Sequence, residues 1–210
     1  MIFKICGLKE KDSLICCEAN KVSFFGLVFY EKSPRNINRN KARQLVEFSK
    51  NLSIKPVGVF VNHKINELKD IIKFLNLKYI QLHGDESQSY INEIKNEFTL
   101  KIIKKISIKN ETDLHKINDF ENIDYLLFDY KPKSGELPGG NSKSFDWNLL
   151  KEVKIKLPWF ISGGINETNI KNIQKTINPH GIDLSSGVEQ SLGIKSNKKI
   201  NNLFRLFYDN

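Results

Sequence analysis

The chain has 210 residues, 40% of them hydrophobic and 10% aromatic, enough to bury a core of its own, and one domain over 1–210 is expected. No apolar run approaches the roughly 18 residues that cross a bilayer, and Met1 to Gly7 lacks the layout of a secretory signal, so a cytoplasmic address without membrane contact is expected. Three cysteines, with Cys16 and Cys17 adjacent, exclude a disulfide scaffold and show no metal-ligand spacing.

The formal net charge of +9 invites a nucleic-acid reading, because a basic surface gains affinity for phosphate chains by releasing counterions. That reading is discounted. The basic residues are 29 Lys against 4 Arg, and 26 Ile and 23 Asn accompany them, a pattern that an A- and T-rich coding bias produces whatever the partner. Recognition of bases and phosphates leans on Arg, and these lysines are spread among Asp and Glu as on a solvated outer face.

In chain order, short runs rich in Ile, Val and Phe predict strands over 2–6, 24–29, 55–61, 79–82, 100–106, 124–128, 159–161 and 181–185. Between them, apolar residues return every three or four positions over 11–19, 41–50, 68–75, 88–97, 111–119, 146–153, 167–176 and 197–207, which predicts a helix after each strand. Continuous apolar strands are those buried on both faces of a parallel sheet. Eight strand-helix units of about 26 residues each favour a closed (βα)8 TIM barrel over an open doubly wound sheet. The first turn, Cys6-Gly7-Leu8-Lys9-Glu10, also lacks the G-x-G-x-x-G fingerprint of a dinucleotide-binding sheet.

In such a barrel the reacting groups gather where the strands end. Gly139-Gly140-Asn141-Ser142, Ser162-Gly163-Gly164 and Ser185-Ser186-Gly187 follow the last three strands. One glycine pair alone marks a tight turn, but three converging clusters form a cradle of backbone N–H groups for an anion, so a small phosphorylated molecule is the expected partner. Cys6, at the mouth of the first strand, reads either as a partly exposed thiol ionisable beside N–H dipoles or cations, or as a buried apolar cysteine, the reading given to Cys16 and Cys17. Asp129 follows the apolar run 125–128, where desolvation favours a protonated carboxyl able to serve as an acid; its plainer reading is turn initiation. Arg35, a rare arginine beside Pro34, can grip a carboxylate bidentately or form a surface ion pair. His83 reads as a structural histidine, an acid-base group or an orienting donor, without the central role.

The strings Lys4-Ile5-Cys6-Gly7, Phe29-Tyr30-Glu31-Lys32-Ser33-Pro34-Arg35, Gly58-Val59-Phe60-Val61-Asn62, Gln81-Leu82-His83-Gly84-Asp85-Glu86, Phe145-Asp146-Trp147 and Asp183-Leu184-Ser185-Ser186-Gly187-Val188-Glu189 occur in one order along nearly the whole chain. In this the sequence closely resembles phosphoribosylanthranilate isomerase of tryptophan biosynthesis. The resemblance implies a TIM barrel that performs an Amadori rearrangement without metal or organic cofactor, converting N-(5-phosphoribosyl)anthranilate to 1-(2-carboxyphenylamino)-1-deoxyribulose 5-phosphate, as a monomer or homodimer. It further implies that Asp129 is the general acid at the ribose ring oxygen and Cys6 the general base at ribose carbon 2. Arg35 would clamp the anthranilate carboxylate, His83 and Asp183 would touch substrate, and Gly140, Gly163, Gly164, Ser185, Ser186 and Gly187 would hold the phosphate. One departure is that the loop after the sixth strand usually reads Gly-Gly-Thr-Gly; here Ser142 stands at a place where positive φ is less readily tolerated.

Overall fold

A computed structural model describes residues 1–209. Eight parallel strands close into one barrel in sequential order: β1 (Ile2–Cys6), β2 (Phe24–Phe29), β3 (Lys55–Phe60), β4 (Tyr79–Leu82), β5 (Lys101–Ile108), β6 (Tyr125–Tyr130), β7 (Trp159–Ile161) and β8 (Gly181–Leu184). The α-helices on the outside are α1 (Lys11–Ala19), α2 (Arg39–Ser49), α3 (Ile65–Leu75), α4 (Gln88–Glu97), α5 (Ile170–Thr176) and α6 (Asn197–Tyr208). Every expected strand is present, within two residues at each end.

Two of the expected helices are not α-helical. After β5 the chain forms a 3₁₀ segment, Glu111–Asn118, and after β6 another, Trp147–Leu150. The first has few apolar residues to bury, and its start is fixed locally by a reciprocal Asn110–Asp113 capping box. In the second, the Asp146 side chain accepts from the Asn148 N–H, and only Leu150 is buried. α5 starts at Ile170 rather than near Glu167, because the Asn166 side chain takes the Thr168 N–H and hydroxyl at 2.8 and 2.6 Å and makes a turn there instead. A small antiparallel hairpin, β9 (Glu189–Ser191) and β10 (Ile194–Lys195), lies between β8 and α6 and was not expected from the periodicity.

Side-chain alternation sorts the strands into an outer layer under the helices and an inner stack. At the base of the stack Phe24, Val57, Ile103, Leu127 and Phe160 form an apolar plug, with Ile2, Tyr79 and Tyr125 packed against it. Above it the interior turns polar with Lys4, Gln81 and Asp183, all buried, and then reaches the C-terminal rim. The stack leaves no spare volume at the seam. A Cβ placed on Gly181 would stand 2.5 Å from the Phe160 ring and 3.0 Å from the Ile2 carbonyl oxygen. Gly181→Ala is therefore expected to destabilise the fold by about 1–3 kcal/mol, seen as a lower urea midpoint at unchanged slope.

Candidate active site

The expected rim residues converge on two adjoining cavities at the C-terminal end of the barrel, of about 530 and 340 Å³. Cys6, Arg35 and His83 line the larger, Gly163, Gly164 and Ser186 line the smaller, and Asp129, Gly140, Asp183 and Ser185 line both. Gly187 lines neither. Its absent side chain instead permits close approach to the carbonyl of Ile165, so its role is packing between the last two loops.

Cys6 ends β1 and is buried rather than partly exposed. Burial pushes its thiol above the usual range; Lys4, Lys195 and Arg35 pull it back and Asp183 adds to the rise. Beside it Gly26, its register partner on β2, leaves room for the sulfur, since a Cβ there would lie 2.7 Å from Sγ. Two residues earlier on the same inward face, Lys4 is fully buried and donates to both carboxylate oxygens of Asp183 at 2.9 Å. Burial pulls Lys4 down and Asp183 up, and Asp183 stays above the ordinary aspartate value while Lys4 ends above the ordinary lysine value. The two short contacts favour the ion-paired form, so the raised Lys4 value is the direction the geometry supports. Of the other cysteines, Cys17 is buried as expected, while Cys16 is half-buried, with Sγ 3.3 Å from Asn201 Oδ1.

Asp129 lies inside β6, not after it, because the strand runs on to Tyr130. One oxygen accepts the Tyr130 N–H at 2.8 Å and the other is 3.5 Å from His83 Nε2. The Gln81 amide donates to His83 Nδ1 at 2.7 Å, an arrangement assigned from the hydrogen-bond network that leaves the Nε2–H directed towards Asp129. Burial holds His83 below the ordinary histidine range, against the pull of Asp129, so the ring is neutral at pH 7. Gln81 Oε1 is buried with no partner. The loop carrying His83 is tied down by Glu86, which accepts the Asn62 and Gly84 N–H groups, each at 3.0 Å, and the Lys104 ammonium at 2.7 Å.

Arg35 is 3% exposed, which excludes a surface ion pair. Its Nε and Nη2 grip Glu189 at 2.7 and 2.8 Å, and Nη2 reaches the Gly140 carbonyl at 3.3 Å. Lys195 donates to the same Glu189 at 2.6 Å. Burial raises Glu189, but the Arg35 and Lys195 contacts outweigh it and hold the carboxyl below the usual range. The arginine fork is thus already filled by a protein carboxylate, while Nη1 lies against Gly140, and Arg35 lines the larger cavity.

Sequence reasoning missed Lys4, Gln81, Glu189 and Lys195. The first two carried a usable signal: each stands two residues before a rim residue, Cys6 or His83, and so on the same inward face, where an uninterrupted apolar core would place no polar group. Glu189 and Lys195 belong to the unexpected hairpin.

Gly140, Gly163 and Gly164 have φ of 74°, 91° and 65°, and Ser142 has 57°, all left-handed. These turns bring the loops after β6 and β7 together, since a Cβ on Gly164 would stand 2.8 Å from the Lys143 backbone. The glycines therefore serve loop contact as well as shaping the smaller cavity.

A closed (βα)8 barrel with a carboxyl, a thiol and a glycine-lined recess gathered at the C-terminal rim of the strands has the layout of a TIM-barrel enzyme. The family profile described as N-(5'phosphoribosyl)anthranilate (PRA) isomerase matches residues 3–205. N-(5'-phosphoribosyl)anthranilate isomerase of Rhizobium rhizogenes is 38% identical over 203 residues, covering 96% of this chain and 91% of that one. The enzyme of the same name from Caldanaerobacter subterraneus is 39% identical over 186 residues, 89% and 88% of the two chains. The solved phosphoribosyl anthranilate isomerase of Thermotoga maritima superposes with a TM-score of 0.85 at 28% identity over the full length of both chains. The chain belongs to the phosphoribosylanthranilate isomerase family.

Glu86 gives a pH-dependent test of the rim. Burial raises its carboxyl, but the Lys104 ammonium, helped by backbone N–H donors including that of Asn62, more than offsets this and leaves it below the usual range. A depressed pKa contributes stability that is present above the unfolded value, near pH 4.5, and lost as pH falls through the folded one. Glu86→Gln should cost about 3 kcal/mol at pH 7 by leaving the buried Lys104 ammonium without a counter-charge, with only the Gly84 carbonyl at 2.8 Å to accept from it. Urea melts across pH 3–7 should then show a shallower acid-side decline in the variant than in the parent protein.

Proposed function

We infer that the chain carries out the reaction of its family, isomerising N-(5-phosphoribosyl)anthranilate to 1-(2-carboxyphenylamino)-1-deoxyribulose 5-phosphate in tryptophan biosynthesis, by general acid–base catalysis. The observation that supports this reading is that Cys6, Asp129 and Arg35 line one cavity with the glycine-lined recess on its flank. A related isomerase structure, 27% identical with a TM-score of 0.83, holds reduced 1-(O-carboxyphenylamino)-1-deoxyribulose 5-phosphate, a ligand with the same two charged ends.

In this reading the phosphate sits among Gly140, Gly163, Gly164, Ser185 and Ser186, and the anthranilate carboxylate meets the free Nη1 edge of Arg35. Pinning both ends leaves the ribose as the part that moves between acid and base. Asp129 gives a proton to the ring oxygen and the ring opens to a Schiff base. Cys6, as thiolate, then takes the proton from carbon 2, and the enolamine tautomerises to the ketone. Neutral His83, with Nε2 3.5 Å from the Asp129 carboxyl, flanks the acid on the β4 side. Asp183 serves through Lys4 more than through substrate, because both its oxygens already accept from that ammonium. A cytoplasmic location and a monomer or homodimer belong to the same reading; a Thermotoga maritima relative is described as dimeric.

Consumption of freshly made phosphoribosylanthranilate, followed by its fluorescence, tests this directly. Cys6→Ala and Asp129→Ala should each lose at least about 100-fold in kcat with the fold retained; unchanged turnover in either removes that residue from the mechanism. Arg35→Lys should chiefly raise KM, since the planar contact is lost while the charge stays.

A further inference from the structure

We propose that Lys4 is a positioning residue for this reaction: its ammonium, tethered by Asp183, holds the Cys6 sulfur in place and stabilises it as the anion. The proposal rests on the acid–base reading above and answers a difficulty within it, because a base must be a thiolate and a buried thiol resists ionisation. Three observations carry it. Alternation along β1 places Lys4 and Cys6 on the same inward face, one layer apart. Lys4 is fully buried, and both Asp183 oxygens lie 2.9 Å from its ammonium, which fixes a charged group one layer beneath the thiol with N–H capacity left over. From the β2 side the bare backbone of Gly26 confines the sulfur, which keeps Sγ at the β1–β2 edge of the cavity.

The charged groups facing Cys6 are Lys4 on its own strand, Asp183 on β8, Arg35 after β2 and Lys195 on β10. Arg35 and Lys195 share Glu189, at 2.7 and 2.6 Å, and both approach from the hairpin side. Lys4 approaches from below, out of solvent, and exerts the largest pull of the three cations on the thiol. It keeps its own proton throughout; the thiol proton leaves to water. A purely structural ion pair would behave differently, since uncharged residues of similar size could replace it without altering the chemistry of the sulfur.

The test uses a Cys16→Ala/Cys17→Ala background, in which Cys6 is the sole thiol, and reads the pH dependence of its alkylation by iodoacetamide through intact mass. Asp183→Asn alone retains the Lys4 charge; Lys4→Met with Asp183→Asn removes it without orphaning a carboxylate. The alkylation midpoint of the double variant should lie at least about one pH unit above that of Asp183→Asn. The pH profile of kcat should move in the same direction, and Lys4→Arg should restore most of both. Superimposable alkylation profiles for the two variants would overturn the proposal. So would an equal shift in Lys195→Met, which would assign the effect to the general field. Full turnover in Cys6→Ala would instead defeat the acid–base reading while leaving the alkylation result intact, so the two failures are distinguishable.

Discussion

At the seam where β1 meets β8, Lys4 stands in register with Asp183 and the two join side chains across the closure of the barrel. Removing two charges from water costs several kcal/mol per ion, so this pair is a weak source of stability. Its consequence is geometric. In a strand, the face chosen at one residue is repeated two residues on, and a slip of one turns every side chain over. With Lys4 and Asp183 locked inward, Cys6 and Ser185 must also point inward at the rim. Gln81 does the same for His83 through the 2.7 Å contact between them. The polar layer sets the rotation of the strands whose ends form the cavity, and the apolar plug of Phe24, Leu127 and Phe160 keeps water away beneath it.

Most strands were legible because they are buried on both faces and read as apolar runs bounded by polar residues; β5, with Lys104 and Lys105 inside it, is the least regular. β2, Phe24–Phe29, is the clearest case, with no exposed position along it. Helices were legible where one apolar stripe faced the barrel, as in α3, whose Leu68, Ile71, Ile72 and Leu75 are all buried. They were misread after β5 and β6, where capping by Asn110 and Asp146 won over a thin apolar periodicity. The site was legible as a set of rim residues, since strand ends can be counted. It was not legible as a network, because Glu189 meets Arg35 across 154 residues through a hairpin with only five strand residues and little pattern.

The loop after β6 shows how a departure from a family pattern is absorbed. Ser142 takes φ of 57°, so the backbone keeps the left-handed turn although the residue there carries a Cβ. An L-residue in that region costs roughly 1–2 kcal/mol. Beside it, the Asn141 side chain donates to the Leu137 carbonyl at 2.8 Å and closes the loop on itself. The strain and the bond opposing it are both local, and Gly140, two residues earlier, lies against Arg35 in the cavity wall.

That wall also explains why an arginine is needed here in a chain whose cations are mostly lysine. Arg35, Lys195 and Glu189 form a buried cluster of two cations around one carboxylate, joined to the loop after β6 through the Gly140 carbonyl. A lysine at 35 has one nitrogen and would be consumed by Glu189. The guanidinium has three, so two nitrogens fix the hairpin and the third is left beside Gly140. The cluster is one positive charge in excess, and it is held where solvent screening is weak. Under the proposed reading that excess meets the substrate carboxylate. The same contact that immobilises the guanidinium then spares the bound state the entropy of ordering a long side chain, which is the advantage of a preorganised clamp over a free one.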